Sequence, residues 1–301
     1  MPIAGDLSQR RYYRLIVADE DPVILMDSSQ DAQSARRFCF ITEWLLKAGL
    51  AAPRVLARDL ETGFLIVEDF GDQTAGALVA SRPDFRSQFL DASIDLLVML
   101  RRVPPPELQR PDAAELADWT AVIDAHYPGV DLEAQRRFRG LLETDLSPLL
   151  MECSVSLRDF HAENVMWLDG RKGVYRLGLL DYQDAFLTHP VYDLVSLLTD
   201  ARIEISREER HAYIQAYATQ SGDDHETLRL AFALFSAQRN MRILGIFALA
   251  AKSGKPHHLP KLPRVHGYLA EALEHPVFDA VRDQVLRGLP DPQVAAERLA
   301  L

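Results

Sequence analysis

Two short apolar segments in the middle of the chain flank a turn, and polar side chains stand at both of their outer ends. The segments are Val165–Leu168 and Val174–Leu180, and Asp169–Gly173 between them is typical of a hairpin loop. Asn164 directly precedes the first segment, and Asp181 directly follows the second. Because an antiparallel hairpin places the start of one strand beside the end of the other, this pattern predicts that Asn164 and Asp181 lie close together.

A third oxygen-bearing side chain, Asp159, lies five residues before Asn164 in the same predicted loop. Phosphoryl transfer needs a carboxylate that holds the acceptor hydroxyl group and accepts its proton, together with hard oxygen ligands for a magnesium ion that bridges the phosphates. We therefore predict that Asp159 is the catalytic base or orients the acceptor, and that Asn164 and Asp181 are magnesium ligands. The alternative interpretation is a turn role for Asp159 and capping of the hairpin ends by the other two.

The wider pattern resembles the aminoglycoside phosphotransferase family, which includes choline-kinase and sugar-kinase relatives. In that family the loop usually reads H-G-D-x-H-x-x-N, and a later I/L-D-F/W/Y-x-D-A carries the metal-binding aspartate. The residues of this chain that match the pattern are Asp159, His161, Asn164, Asp181 and Asp184. The residues Leu157–His161, with His189–Leu194 downstream, most resemble the branch that phosphorylates N-acetylmuramate and N-acetylglucosamine at the anomeric hydroxyl group.

The resemblance implies a two-lobed, protein-kinase-like α+β fold with ATP and Mg²⁺ as cofactors. It also implies an acceptor hydroxyl group on a small molecule, with an amino sugar or cell-wall sugar as the leading hypothesis. A kinase for an aminoglycoside or a choline-like cation is one alternative. A pseudokinase that binds nucleotide without turnover is another.

The predicted secondary structure divides the chain into a strand-rich part and a helical part. We expect a nucleotide-binding lobe over residues 1–70 and a helical lobe with the catalytic loop and acceptor site over residues 71–301. The predicted strands of the first lobe are Tyr12–Val17, Pro22–Met26, Pro53–Ala57 and Phe64–Val67, with a helix over Ala35–Ala48. The predicted helices of the second are Phe85–Arg102, 112–125, 133–144, 191–200, 207–219, 225–251 and 265–286.

Two segments of the first lobe are candidates for nucleotide binding. Gly5–Tyr12 stands where the family has its phosphate-covering loop, so we predict phosphate contacts from Ser8 and Arg10. The segment near residue 70 is predicted to connect the lobes, and the backbone groups there would bind adenine. Those residues are Val67, Glu68, Asp69 and Phe70.

One position departs from the kinase pattern. Kinases usually end the second strand with a lysine that reaches the phosphates and pairs with a helix glutamate, and this chain has Met26 and Phe38 there. Replacing both members of a buried ion pair with apolar groups can be nearly neutral, so the joint change is consistent with a redesigned site. The sequence leaves open whether Arg10, Arg11 or Arg14 supplies the missing charge.

The sequence indicates a role less clearly for four further residues. Arg158 occupies the place of the usual glycine in the catalytic loop, and His161 is as readily structural as catalytic. The resemblance implies that Asp193 anchors the catalytic loop. Arg239 interrupts an apolar helix and could face the acceptor, be exposed to solvent or pair with acidic neighbours.

Charge and composition disfavour some partners. The formal net charge of −11 disfavours nucleic acid and anionic membranes as partners. Cys39 and Cys153 lack metal-ligand spacing. The longest apolar run, 243–251, is shorter than the roughly 20 residues that cross a bilayer. We expect a cytoplasmic protein that interacts with neither membranes nor nucleic acid.

Overall fold

The computed structural model describes residues 2–3, 10–16, 18, 21–82 and 84–300. Contacts divide the chain into two compact units, Met1–Met99 with Leu157–Ala185, and Leu100–Ser156 with Phe186–Leu301. Most strands lie near the N-terminus and most helices follow them, as the sequence predicts. The functional boundary between residues 70 and 71 stays a prediction.

The first unit contains a five-stranded antiparallel sheet. Its strands are β1 (Pro2–Ile3), β2 (Arg11–Leu15), β3 (Val23–Asp27), β4 (Val55–Asp59) and β5 (Phe64–Glu68). The strand order is β1-β2-β3-β5-β4. Met26 lies at the centre of the sheet, opposite Tyr12 on β2 and Leu65 on β5, and both Met26 and Leu65 are buried. The four strands predicted in this region are β2 to β5.

A long helix, α1 (Ala32–Lys47), packs against this sheet. It begins three residues before the predicted start because the Asp31 side chain accepts a hydrogen bond from the N–H of Ser34 and caps the helix. Its buried face includes Phe38. The chain turns away at Gly49, whose φ of 76° is a left-handed conformation that glycine adopts without strain.

Four three-residue strands complete the sheet structure. They are β6 (Ser154–Ser156), β7 (Val165–Trp167), β8 (Leu177–Leu179) and β9 (Phe186–Thr188). β7 pairs with β8 in the predicted hairpin, although β8 starts later than predicted because 173–176 form a 3₁₀ turn. The β6–β9 pair was not predicted, since such short buried strands have no alternating pattern.

Helices make up most of the rest of the described chain. They are α2 (Ala75–Ser81), α3 (Phe85–Leu100), α4 (Ala113–Asp118), α5 (Val122–His126), α6 (Leu132–Leu146), α7 (Val191–Leu198), α8 (Arg207–Ser221), α9 (His225–Lys252), α10 (Leu262–Leu273), α11 (Arg282–Arg287) and α12 (Pro292–Leu299). The single helix predicted over 265–286 is wrong. Pro276 separates α10 from α11, because proline lacks an N–H and disfavours helical geometry in the residue before it. The helix predicted over 112–125 is divided by a 3₁₀ turn at Trp119–Ala121.

The core of the second unit is organised around α9, which packs against α5, α7 and α10. Its middle carries Gln238, Arg239 and Asn240, all of them buried. Among the helices that the structure describes, none combines the length and apolar character needed to cross a membrane.

Candidate active site

The β7–β8 hairpin brings Asn164 beside Asp181. Val165 pairs with Leu179 across the two strands, and the N–H of Leu180 donates to the carbonyl oxygen of Asn164 at 2.9 Å. Asp181 is the next residue along the chain. The two candidate magnesium ligands therefore occupy neighbouring positions at the open end of the hairpin.

The side-chain amide of Asn164 is oriented by contacts of its nitrogen. Nδ2 donates to the backbone oxygen of Asp159 at 3.0 Å and lies 3.2 Å from Nε2 of His161. A primary amide has two N–H donors, so these contacts use both and leave Oδ1 as the atom that can bind a cation. His161 is itself buried.

Two residues of the candidate site have left-handed backbone conformations. Arg158, directly before Asp159, has a φ of 71°, and Asp181 has a φ of 57°. For residues other than glycine this conformation costs about 1–2 kcal/mol, and such strain concentrates at functional sites. The value at Arg158 gives a physical reason why glycine is usual at this position in the family.

The Asp181 carboxylate is held by two donors. Arg10 donates through Nη2 to Oδ1 at 2.6 Å, and Gln183 donates to the same oxygen at 3.1 Å. The side chain of Arg10 is 10% exposed and that of Asp181 is 40% exposed. A positive group thus already lies against the carboxylate that is the candidate metal ligand.

The donor set fits magnesium. Within the described ranges, no group of three or more His, Cys, Asp and Glu side chains could hold a metal ion. Mg²⁺ in phosphotransfer enzymes needs only one or two protein oxygens, since substrate phosphates and water fill the remaining positions. The Asn164 amide oxygen and the Asp181 carboxylate match that requirement.

The predicted adenine-binding segment follows β5. Val67 is buried in the sheet, so only its backbone could reach a ligand. The N–H of Glu68 donates to the carbonyl oxygen of Arg54, and its carboxylate pairs with Arg54 and Arg171. Because the N–H and the carboxylate of Glu68 already have partners, the next two residues, Asp69 and Phe70, are the better candidates for backbone contacts with adenine.

The aromatic ring of Phe70 packs on the hairpin. A Cβ placed on Gly178 of β8 would lie 2.7 Å from this ring, so only glycine fits at that position. Arg171 covers the ring at 5.4 Å from its centroid. The Phe70 side chain therefore joins the segment after β5 to the hairpin that carries the candidate metal ligands.

Of the two residues predicted to contact the phosphates, Arg10 lies beside Asp181, and Ser8 lies outside the described residues.

Two apolar side chains, Met26 and Phe38, stand at the positions where kinases usually have an ion pair between strand and helix. Met26 and Phe38 are both buried, and the ring of Phe38 stacks on Tyr182 with 5.2 Å between centroids. The hydroxyl oxygen of Tyr182 lies 2.6 Å from that of Thr42 on α1. Burial raises the pKa of Tyr182, and the contact with Thr42 opposes this effect only in part. The neutral tyrosine thus connects the Asp181 loop to α1, a link that the sequence analysis missed although Tyr182 directly follows Asp181.

Residues just outside the catalytic loop are also well fixed. The hydroxyl group of Ser156 donates to Oδ1 of Asp193 at 2.8 Å, and Asp193 is 2% exposed. Ser156 directly precedes Leu157, where the loop begins, so this contact is compatible with the predicted anchoring role of Asp193. Asp184 lies 3.8 Å from Arg37 and accepts from Gln183.

Arg239 is buried, so the solvent-exposed interpretation of this residue is wrong. Its guanidinium carbon lies 5.4 Å from the centroid of the Tyr192 ring, and its Nη1 lies 3.4 Å from the Tyr192 hydroxyl oxygen. It is 5% exposed. A buried guanidinium group requires compensating contacts, which the sequence pattern alone did not reveal.

Comparisons with known proteins identify close relatives. The sequence model of the phosphotransferase enzyme family matches residues 1–231. The chain is 31% identical to the N-acetylmuramate/N-acetylglucosamine kinase of Caulobacter vibrioides, over 96% of this chain and 91% of that protein. It is 29% identical to the protein of the same name from Pseudomonas aeruginosa, over 96% and 88%.

A solved structure supports the same fold. The choline kinase of Streptococcus pneumoniae superposes with a TM-score of 0.63 at 16% identity, over 89% of this chain and 92% of that chain. This likeness confirms the predicted kinase-like α+β fold.

Proposed function

Because the chain belongs to the phosphotransferase enzyme family, we propose that it is an ATP- and magnesium-dependent kinase for the anomeric hydroxyl group of an N-acetylated amino sugar. Family membership makes it an enzyme that transfers a phosphoryl group to a hydroxyl group of a small molecule. The finer proposal concerns the acceptor, the nucleotide, the metal ion and the residues that bind them. The observation that supports these roles best is the juxtaposition of Asn164 and Asp181, with Asp159 bonded to the Asn164 amide through its backbone oxygen.

In the proposed mechanism Asp159 orients the acceptor hydroxyl group and accepts its proton. Its half-buried carboxylate stands in a loop fixed by the Asn164 amide, which limits the conformations from which proton transfer is possible. A positioned base typically contributes about 10²–10⁴ in rate. The loop strain at Arg158 would be retained for this positioning.

Asn164 and Asp181 would hold the magnesium ion through Oδ1 of the amide and the carboxylate. The bound ion supplies positive charge to the phosphates during transfer. Gln183 and Arg10 steady the Asp181 carboxylate, while the stack of Phe38 on Tyr182 fixes the loop that carries it.

For the nucleotide we propose ATP, with adenine on the backbone of residues 67–70 and the phosphates near Ser8 and Arg10. These assignments place nucleotide binding in residues 1–70 and acceptor binding in residues 71–301. We also place the enzyme in the cytoplasm, because Cys39 and Cys153 are free thiols and ATP is plentiful there.

The acceptor is proposed from the relatives. Two proteins that are 31% and 29% identical over nearly the whole chain are named as kinases of N-acetylmuramate and N-acetylglucosamine. The choline kinase is only 16% identical, so it is a guide to the fold and a weaker guide to the substrate. An aminoglycoside or choline-like acceptor therefore remains the second candidate.

The test is a phosphorylation assay with magnesium and ATP. The acceptors are N-acetylmuramate, N-acetylglucosamine, an aminoglycoside and choline, and the control is Asp159→Asn, a variant of nearly the same shape. We expect turnover of the amino sugars only, falling at least about 10²-fold in the variant while ATP binding is retained. Turnover of choline or the aminoglycoside alone would replace the proposed acceptor, and ATP binding without any turnover would favour a pseudokinase.

A further inference from the structure

The sheet lacks the lysine that normally binds nucleotide phosphates in a kinase. Met26 occupies the end of β3 where that lysine would stand, and its side chain is fully buried between neighbours on β2 and β5. If the chain binds a nucleoside triphosphate, as proposed above, the positive charge must come from another residue.

Three arginines near β2 are candidates, and their contacts separate them. Arg14 donates to Asp69 at 2.5 and 3.0 Å, to Asp72 at 2.6 Å and to the carbonyl oxygen of Gly71 at 3.1 Å. These hydrogen bonds, first to Asp69 and then to Asp72, raise the pKa of Arg14. All of these partners lie in the segment after β5, and they hold the Arg14 guanidinium group there. Arg11 is exposed on the sheet.

Arg10 is the arginine that reaches the candidate metal ligands. The β2–β3 ladder ends where Arg11 pairs with Asp27, so Arg10 stands just beyond that end of the sheet. Its Nη2 lies 2.6 Å from Oδ1 of Asp181, and only 10% of its side chain is exposed. From the position just before β2, Arg10 thus brings a positive charge to the candidate metal ligand Asp181.

A cavity of about 190 Å³ adjoins Arg10 within the same unit. Arg37, Asp184 and Ser28 also line it. The Ser28 hydroxyl group is buried and has no hydrogen-bond partner among the described residues. Arg10 therefore contacts the Asp181 carboxylate and also lines a cavity with polar walls.

We propose that Arg10 is the phosphate-binding cation that replaces the strand lysine, and that it neutralises Asp181 until metal and nucleotide bind. The inference rests on the proposed kinase function. Asp181 cannot give its full charge to a magnesium ion while Arg10 is bound to it, and the triphosphate offers Arg10 an alternative anion. Arg10 therefore has opposite effects on the two ligands, since it competes with the free metal ion and attracts the nucleotide.

The test measures binding, so it does not depend on the acceptor. Calorimetry compares Arg10→Met, which removes the charge and keeps an unbranched side chain, with Arg10→Lys and with the exposed control Arg11→Met. The ligands are ATP with magnesium, adenosine, and Mg²⁺ alone. We expect Arg10→Met to weaken ATP binding at least about tenfold, to leave adenosine binding within about twofold, and to leave Mg²⁺ binding unchanged or tighter. Arg10→Lys should recover part of the ATP affinity.

Each contrary result has a distinct meaning. Equal losses of ATP and adenosine affinity in Arg10→Met would show a purely structural role and overturn the proposal. The proposal would also be overturned if Arg10→Met bound ATP as tightly as the control Arg11→Met. Failure of the unaltered chain to bind ATP would overturn the proposed function together with this inference, whereas ATP binding that is insensitive to Arg10 would overturn the inference alone.

Discussion

The hydroxyl oxygens of Tyr182 and Thr42 lie 2.6 Å apart, in a buried contact between the Asp181 loop and α1. Both side chains are at most 1% exposed. Phe38 stacks on the same tyrosine from α1, so one residue joins the loop to the helix by a hydrogen bond and by ring packing. In kinases with the usual strand lysine an ion pair positions the corresponding helix. In this chain the buried contacts that do so are apolar packing and a neutral hydrogen bond, while the ion pair of Arg37 with Asp184 is partly exposed.

This contact predicts non-additive stability changes. Tyr182→Phe and Thr42→Val should each reduce the free energy of unfolding by about 1–2 kcal/mol, because each leaves a buried hydroxyl group without its partner. The double variant should lose less than the sum of the two, since both polar groups are then absent. Urea denaturation of the four proteins measures the coupling. Strictly additive losses would show that the two hydroxyl groups do not stabilise each other.

The positive φ of Arg158 predicts a reversal of the usual order of glycine and alanine. At most positions with ordinary backbone angles, glycine is less stable than alanine by about 0.5–1 kcal/mol. At φ 71° alanine retains the backbone strain and glycine does not. Arg158→Gly should therefore be more stable than Arg158→Ala. Both lose the same side-chain contacts, so thermal denaturation of the pair isolates the backbone effect. Greater stability of the alanine variant would contradict the strained conformation.

The two proposed roles of the Asn164 amide can be separated by two variants. Asn164→Asp and Asn164→Ala both lose the donor to the Asp159 backbone oxygen, so the rate at saturating magnesium should fall in both. Only the alanine variant also loses the oxygen that would bind the metal. We expect the Mg²⁺ concentration for half-maximal rate to rise at least about tenfold in Asn164→Ala and by much less in Asn164→Asp. Equal magnesium requirements would remove Asn164 from the metal site. Glu163→Gln, an exposed neighbour, is the control.

The sequence was sufficient to predict the hairpin and the proximity of Asn164 and Asp181 that results from it. Val165 and Leu179 pair as the two apolar segments indicated, and local pattern determines this pairing because the two strands are close in sequence, separated only by residues 168–176. The same locality explains the prediction of α9, a long and largely apolar segment that is helical over His225–Lys252. The strands of the β6–β9 pair are only three residues long and join residues at least thirty positions apart, so no local pattern marks the pair.

The parts of the site that sequence could not predict are contacts between distant residues. The pairing of Arg10 with Asp181 spans 171 positions, and nothing in the sequence distinguishes Arg10 from Arg11 and Arg14 as the partner. Asp69 and Asp72 hold Arg14 in a way that follows only from the pairing of β2 with β3 and β3 with β5. The break at Pro276 was predictable, since proline in a helical pattern is a local signal that the long helix assignment ignored.

A partly buried histidine in the second unit, His189, predicts how stability changes with pH. Burial lowers the pKa of His189 to about 4, and the nearby Arg101 adds to the effect while Asp223 opposes it. Nδ1 of His189 accepts a hydrogen bond from the N–H of Val191 at 3.2 Å. The native state therefore keeps this ring neutral at pH values where the unfolded chain, with an ordinary pKa near 6.5, binds a proton.

The sign of the pH effect follows from that difference. Between pH 6.5 and 4 the unfolded state binds more protons at this position, so the contribution of His189 is complete above pH 6.5 and is lost as pH falls toward 4. The loss amounts to about 2–3 kcal/mol, since one unit of pH corresponds to about 1.4 kcal/mol for one proton. In His189→Asn, Oδ1 can accept from Val191 and nothing titrates, so the free energy of unfolding should fall less steeply over this range. Urea denaturation at pH 7, 5.5 and 4.5 measures the slope, with the exposed His211→Asn as the matched control. If His189→Asn and the unaltered chain lose stability in parallel, His189 is not held neutral by burial.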